Sequence, residues 1–218
     1  RLPAVIALAA TAFTVAPAPA QTTTQVSVDS SGVPGNDHSA GAAISTDGQY
    51  VAFYSEATNL VSGDANLLHD VFVHNRLTHR TTRVSLGLAG AEGDLGSFFP
   101  SISSDGRYIA FDGFATNLVP GDTNNQSDVF VYDQATGQTA RVSVDSAGVQ
   151  GDSHSQWSSI SAAGRYVAFY GSARNLVAGD TNAAEDVFVN DSQTGQTTRV
   201  SVDSAGVQGD RHSRYPAI

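Results

Sequence analysis

Cysteine, methionine and lysine are absent from this chain of 218 residues, and tryptophan occurs once. Without cysteine there are no disulfides, thiolate metal sites or cysteine nucleophiles. Without lysine the basic side chains are eleven arginines set against 21 acidic residues, a formal net charge of −10. A phosphate backbone would find no basic footprint here, so nucleic acid is not an expected partner. Helical periodicity is missing after residue 21, and no apolar run is long enough to span a bilayer. What the chain does contain, 40% hydrophobic and 15% charged residues, is enough to bury a substantial core.

The N-terminus differs from the rest. Arg1 supplies a positive charge, Leu2 to Val15 form a short apolar stretch broken by threonine, and Ala18-Pro19-Ala20 offers the small residues that a signal peptidase inspects. The expectation is a secretory signal over residues 1–20 and a mature domain from residue 21, secreted or periplasmic, with no stable membrane insertion. An apolar helix of the folded domain is the competing reading.

Beyond it the chain repeats. Ile44, Ile102, Ile160 and Ile218 stand 58 residues apart, as do Val26, Val84, Val142 and Val200, and the register never slips. There are three full copies and the start of a fourth, a fixed period of the size found in propellers and solenoids. Within one copy, "PSIS" (Pro100–Ser103) reads as a strand, Asp105-Gly106 as a two-residue hairpin signal, and "RYIAFDG" as a second strand rich in aromatic and β-branched residues. "DVFVYD" (Asp128–Asp133) reads as a third strand, "ATGQ" as a turn, and "TARVSVD" as a fourth. Four antiparallel strands form the unit of a β-propeller blade, covered on both faces by its neighbours, which explains why "YIAF" and "VFV" need not alternate with polar residues. The expected fold is all-β, with blades near residues 42–86, 100–144 and 158–202 and a further blade beginning at 216–218.

The order P-x-I-S-x-D-G-R-Y-x-A-F followed by D-V-F-V-x-D-x-x-T-G-x-T-x-R-V-S resembles the TolB-type repeat, a WD-like propeller repeat of extracytoplasmic bacterial proteins. The resemblance covers nearly everything after the signal. It implies a propeller of more blades than three, with "QVSV" near Gln25 able to complete the last one, and it leaves open both a binding scaffold and a module beside a peptidase. The copies depart from it in the long insertion "ATNLVPGDTNNQS" (Ala115–Ser127), in Ala163-Gly164 for Asp-Gly, and in Thr78-His79 for Thr-Gly. Three blades left open would expose edge strands, so the isolated chain is expected to self-associate.

Strand connectivity then divides the surface. Short turns share one end of an up-and-down blade, while the long second-to-third loops and the crossings between blades share the other. Asp122, Asp128, Asp145, Asp152, His154 and their counterparts therefore gather on one acidic face. Asp64, Asn66 and Asp70, then Asp122, Asn124 and Asp128, then Asp180, Asn182 and Asp186 carry oxygen donors in a D-x-N-x-x-x-D spacing that suits calcium. Neither the glycine nor the twelfth-position glutamate of an EF-hand loop is present, and asparagine and aspartate turn a chain equally well through side-chain to backbone hydrogen bonds.

Other candidates are sparser. His38, His154 and His212 share one repeat position that is Gly96 in the second copy, a pattern more suited to polar loop residues than to zinc ligands. Serine is abundant without a G-x-S-x-G elbow, Asp112 and Glu56 have no evident partner, and Trp157 sits where blades should pack. The function expected is a non-enzymatic extracytoplasmic scaffold that binds a protein or a glycan through its acidic long-loop face, with calcium as a possible ion of the loops. The alternative is the propeller module of a secreted hydrolase or peptidase.

Overall fold

The structure, a computed structural model, describes residues 22–218. The expected secretory signal, residues 1–20, lies outside them. Each copy supplies four strands: β1 (Ser39–Ile44), β2 (Tyr50–Ser55), β3 (Asp70–Asn75) and β4 (Arg80–Arg83); β5 (Ser97–Ile102), β6 (Tyr108–Gly113), β7 (Asp128–Asp133) and β8 (Gln138–Arg141); and β9 (Ser155–Ile160), β10 (Tyr166–Gly171), β11 (Asp186–Asp191) and β12 (Gln196–Arg199). Each quartet pairs in sequence order into one antiparallel sheet. The chain forms three β-propeller blades. Among the described residues the one helical element is a single 3-10 turn at Leu88–Gly90, in a crossing where Gly87 replaces the aspartate of the other copies.

The repeated motif is legible as packing. Phe53 pairs across strands with Phe72, Phe111 with Phe130 and Phe169 with Phe188, with ring centroids 5.8 Å apart in every blade. Each phenylalanine pair faces one side of its sheet, and small or β-branched residues face the other. At the first seam Ala52, Val71, Val73 and Val84 of one blade thus meet Ile109, Phe111, Leu118 and Phe130 of the next. The second seam repeats this, with Ala110, Val129, Val131 and Val142 against Val167, Phe169, Leu176 and Phe188. Burying one such side chain contributes about 1.5–3 kcal/mol, so the seams dominate stability. The third blade's own valine face is less covered: Val200 is 48% exposed where Val84 is 1% and Val142 is 5%.

First strands pack on first strands across the seams, while β4, β8 and β12 make no comparable contact, so the sheets fan out from β1, β5 and β9. Each first strand begins at Ser39, Ser97 or Ser155 instead of 42, 100 or 158, because pairing continues through a bulge. At that bulge φ is positive: 62° at Gly41, 48° at Phe99, 53° at Trp157, and 55° at the equivalent Tyr215. For non-glycine residues such a conformation costs on the order of 1–3 kcal/mol each.

The Asp-Gly hairpin is not the expected two-residue turn. Residues 103–107 separate β5 from β6, Gly106 N–H donates to Ser103 O at 2.9 Å, and Gly106 follows at φ 74°. The Ser103 hydroxyl donates to Asp105 at 2.6 Å and accepts the Tyr108 amide at 3.0 Å, so side chains hold a longer loop. Glycine is needed there twice over, because a Cβ on Gly106 would collide with the ring of Tyr50 from the preceding blade, and one on Gly164 with that of Tyr108.

At the other hairpin Gly137 and Gly195 have φ 70° and 74°, whereas His79 takes the same position at 56°. A side chain in this region costs about 1–2 kcal/mol, offset in part by the flexibility that glycine adds to the unfolded chain. His79→Gly should therefore stabilise the protein by up to about 1 kcal/mol, a rise of roughly 2–4 °C in melting temperature. A lower melting temperature for this variant would contradict the account.

Candidate functional site: the acidic loop face

The long loops and the crossings lie together, joined in every copy by one arrangement of side chains. In the second copy, Asn124 leads the loop back on itself: its Oδ1 accepts the Gln126 amide at 2.9 Å, and its Nδ2 donates to Asp128 at 3.2 Å and to Gly151 O of the crossing at 2.9 Å. Ser143 donates to the other oxygen of Asp128 at 2.5 Å. Arg141, from β8, places Nη1 3.3 Å from both Asp122 and Asp128 and 2.8 Å from Gln150 Oε1 of the crossing. The first copy repeats this with Asn66, Asp70, Ser85 and Arg83, the last at 3.2 Å from both Asp64 and Asp70. The third does so with Asn182, Asp186, Ser201 and Arg199, at 3.4 Å from Asp180 and 3.5 Å from Asp186.

The spacing thus brings all nine predicted loop residues together, copy by copy, around a cation that comes from the chain itself. The arginines stand in the "ARV" and "TRV" of the fourth strand, outside the loop, and their role was not read from the sequence. The available signal was charge: two carboxylates buried side by side require a compensating cation. Every asparagine also turns its amide nitrogen, a donor, toward the following aspartate.

Burial pushes the carboxyl groups up. Asp64 rises to about 6, with the like charge of Asp70 adding to burial and Arg83 opposing both. Asp70, Asp122, Asp128 and Asp180 rise for the same leading reason. Copies differ at the crossing: Glu92 meets Arg83 at 2.5 Å where Gln150 and Gln208 serve the other two. Asp64, Asp70 and Glu92 consequently form a three-carboxylate group with ligand oxygens within 4.8 Å of one another.

The crossings carry their own aspartate turn. Asp145 accepts the amides of Ala147 and Val149 at 2.8 Å each, and Asp203 does the same for Ala205 and Val207. Asp152 accepts the Arg174 amide at 2.8 Å and Asp94 the Thr116 amide at 2.7 Å; Asn36 occupies the same place in the first copy and accepts the Thr58 amide at 2.9 Å.

His154 and His212 converge on Glu185, each 3.3 Å from its carboxylate, and Arg214 joins them. Glu185 was not singled out from the sequence, because its position is His69 in the first copy and Ser127 in the second. Ser172 Oγ lies 3.1 Å from His154 Nδ1 and 3.5 Å from Nε2, thus between the two nitrogens and along the lone pair of neither. This is not the alignment of a nucleophile with its base. Glu56 pairs with His69 at 3.3 Å. Asp112 is buried and accepts the backbone amide of Trp157 at 3.2 Å, in a position occupied by Tyr54 and Tyr170 in the other blades. Burial lifts its carboxyl to about 8.

No family model matches the chain, and no curated protein matches it. Among solved structures it is similar to a TolB protein from Agrobacterium tumefaciens, at 17% identity over 77% of this chain and 49% of the other, TM-score 0.45. It is also similar to TolB from Acinetobacter baumannii, at 15% identity over 75% of this chain and 43% of that one, TM-score 0.32. A third is an acylaminoacyl peptidase from Pyrococcus horikoshii, at 16% identity over 74% and 24%, TM-score 0.43. The chain spans about half the length of the Agrobacterium structure.

Removing one partner of a buried ion pair leaves the other charge uncompensated, at about 3–5 kcal/mol. Arg141→Met should therefore lower stability in urea by about 3 kcal/mol, and a midpoint unchanged from the parent would show that the guanidinium is dispensable. For Asp112, a folded-state pKa raised from the ordinary 3.8 to about 8 means that folding favours the neutral acid. That contribution is complete below about pH 4 and is lost as pH rises toward 8. Asp112→Asn should flatten the fall in melting temperature between roughly pH 4 and 8; parallel curves for parent and variant would contradict the assignment.

Proposed function

We propose that the protein is a non-enzymatic extracytoplasmic scaffold that presents its acidic long-loop face to a protein or glycan ligand. One observation carries the reading: three loops and their crossings are locked into the same arrangement by Arg83, Arg141 and Arg199, while the tips of the crossings stay exposed. Rigid loops on a repetitive scaffold are the usual way that a fold without chemistry of its own presents a binding surface. The extracytoplasmic address rests on the N-terminal signal pattern. Among the described residues no helix is long and apolar enough to cross a membrane.

Calcium fits this reading best in the first loop, where Glu92 adds a third carboxylate to Asp64 and Asp70, in competition with Arg83. A calcium-dependent rise in melting temperature that Glu92→Gln removes would support an ion there. Melting curves that do not respond to calcium or chelator would leave Arg83 as the cation of that loop.

The test of the scaffold uses the chain's own alternative at one position. Asn36 makes the hydrogen bond that Asp94 and Asp152 make in later copies, so replacing Asp94, Asp152 and Asp210 by Asn removes three charges while keeping the acceptor. The parent protein should retain a defined ligand from a glycan array or from purified cell-envelope proteins, with an affinity that falls as salt rises, and the triple variant should lose most of it. Retention by the variant at full affinity would move recognition off the acidic face.

A further inference from the structure

The acidic face is interrupted at one place. Where the first long loop meets the end of the crossing into the second blade, Leu67, Leu95 and Phe114 are 76%, 47% and 41% exposed. The other copies are polar or small at these positions: Asn125 and Ala183 stand for Leu67, Ser153 and Arg211 for Leu95, and Glu56 and Ser172 for Phe114. Phe98, beside them, is Gln156 and Arg214 in later copies. The blade therefore folds without apolar side chains here.

Hydrogen bonds bring the segments together. Asn66 Nδ2 donates to Gly93 O at 3.2 Å, the Ser97 amide to His69 O at 2.8 Å, and the Phe114 amide to Gly96 O at 3.0 Å. The Phe98 ring meets both His69 and Phe114, with centroids 4.8 and 6.4 Å away. Leu67 is unfavourable in two ways. Its φ of 58° is a left-handed conformation that asparagine tolerates and leucine adopts at a cost, and Asn125 fills the same position at 53°. Its apolar side chain also stays in water, where it adds nothing to the core. A single exposed leucine needs no explanation, but exposed apolar side chains gathered at one loop end, where the other copies are polar or small, mark a surface that is covered in use.

We propose that this patch is the contact core for a protein partner that presents an apolar side chain flanked by lysine or arginine, an inference that rests on the scaffold reading and narrows its ligand to a polypeptide. An apolar centre inside a polar rim is the anatomy of a protein interface. The rim here is acidic: Asp94, next to Leu95, is exposed, and among the described residues its carboxylate accepts hydrogen bonds only from the amide and hydroxyl of Thr116. Glu56, beside His69, has a side chain 37% exposed. That charge attracts a basic segment, and it repels both an anionic lipid surface and a second copy of a chain of net charge −10. Leu67 and Leu95 present no polar atom to a sugar hydroxyl, whereas covering them with another apolar side chain is favourable.

The probe is a phage-displayed library of random dodecapeptides, selected on the full chain, with the enriched sequences synthesised and titrated by calorimetry. They should carry a large apolar residue flanked by lysine or arginine, and their affinity should fall as salt rises. The triple variant Leu67→Asn, Leu95→Ser, Phe114→Ser takes residues that other copies already use, so it should stay folded and bind these peptides at least about tenfold more weakly. Leu67→Asn alone, which relaxes the backbone, should weaken binding without lowering the melting temperature. The proposal is overturned if no peptide is enriched, if the enriched peptides are basic without an apolar residue, or if their binding survives the triple patch variant at full strength. In the last two cases, loss of binding in the Asp94, Asp152 and Asp210 variant would remove the patch and leave the acidic-face reading standing. A parent chain that sediments as a dimer while the patch variant sediments as a monomer would also overturn it, as would patch-dependent binding to neutral phosphatidylcholine vesicles.

Discussion

Each acidic loop depends on one guanidinium. Arg83, Arg141 and Arg199 come from the last strand of each blade and reach two loop carboxylates and one crossing side chain apiece, so three segments distant in sequence are tied at a single charged group. Without it the two aspartates would repel each other in a poorly solvated space, and only neutral hydrogen bonds, such as that of Asn124 to Gly151 O, would hold the loop against the crossing. A serine and an asparagine add hydrogen bonds to the second carboxylate of each pair, Asp70, Asp128 or Asp186. The loop is therefore a folded element of its own, stabilised by charge and hydrogen bonds where the sheet beneath it is stabilised by apolar burial.

The two kinds of stabilisation divide the molecule by role. At the seams the large phenylalanine faces and small valine faces interlock, and glycine turns admit tyrosine rings from the neighbouring blade. Little variation is tolerated in such packing, since a single added or removed methylene is felt. At the entry of each first strand the packing differs from copy to copy: Gly41 leaves room for the Tyr54 ring, whereas Phe99 and Trp157 stack on each other. The same backbone bulge accommodates glycine, phenylalanine, tryptophan or tyrosine. The copies agree in the seams and differ at the first-strand entries and at the loop tips, such as 67–69, 125–127 and 183–185, where packing within the blade demands less.

Much of the fold was legible because a fixed period of 58 residues makes every copy a check on the others. Strand identity, the shared face of loops and crossings, and the burial of both faces of "YIAF" and "VFV" followed from spacing and connectivity alone. The loop residues Asp122, Asn124 and Asp128 were found by the same spacing, but the cation among them was sought outside the chain. Arg141 is some thirteen residues beyond Asp128, and only antiparallel pairing of β7 with β8 brings it back. The Asp-Gly turn was misjudged because dipeptide rules describe the backbone, whereas here Ser103 and Asp105 hold a longer loop with their side chains.

The bulge aromatics were illegible for a different reason. Aromatic residues in a strand are ordinarily core, and the stack of Trp157 on Phe99 is packing between blades. Packing alone does not account for where the ring sits. A side chain needed only to fill a seam could do so from relaxed extended backbone, as Phe111 and Phe130 do, both fully buried. Trp157 instead occupies a left-handed conformation, remains partly exposed, and has its amide held by a buried, neutral Asp112 where the flanking blades use tyrosine. Strain, exposure and a dedicated buried acceptor at one residue are each unfavourable for stability, and a fold that keeps all three together is spending stability on the position of that ring.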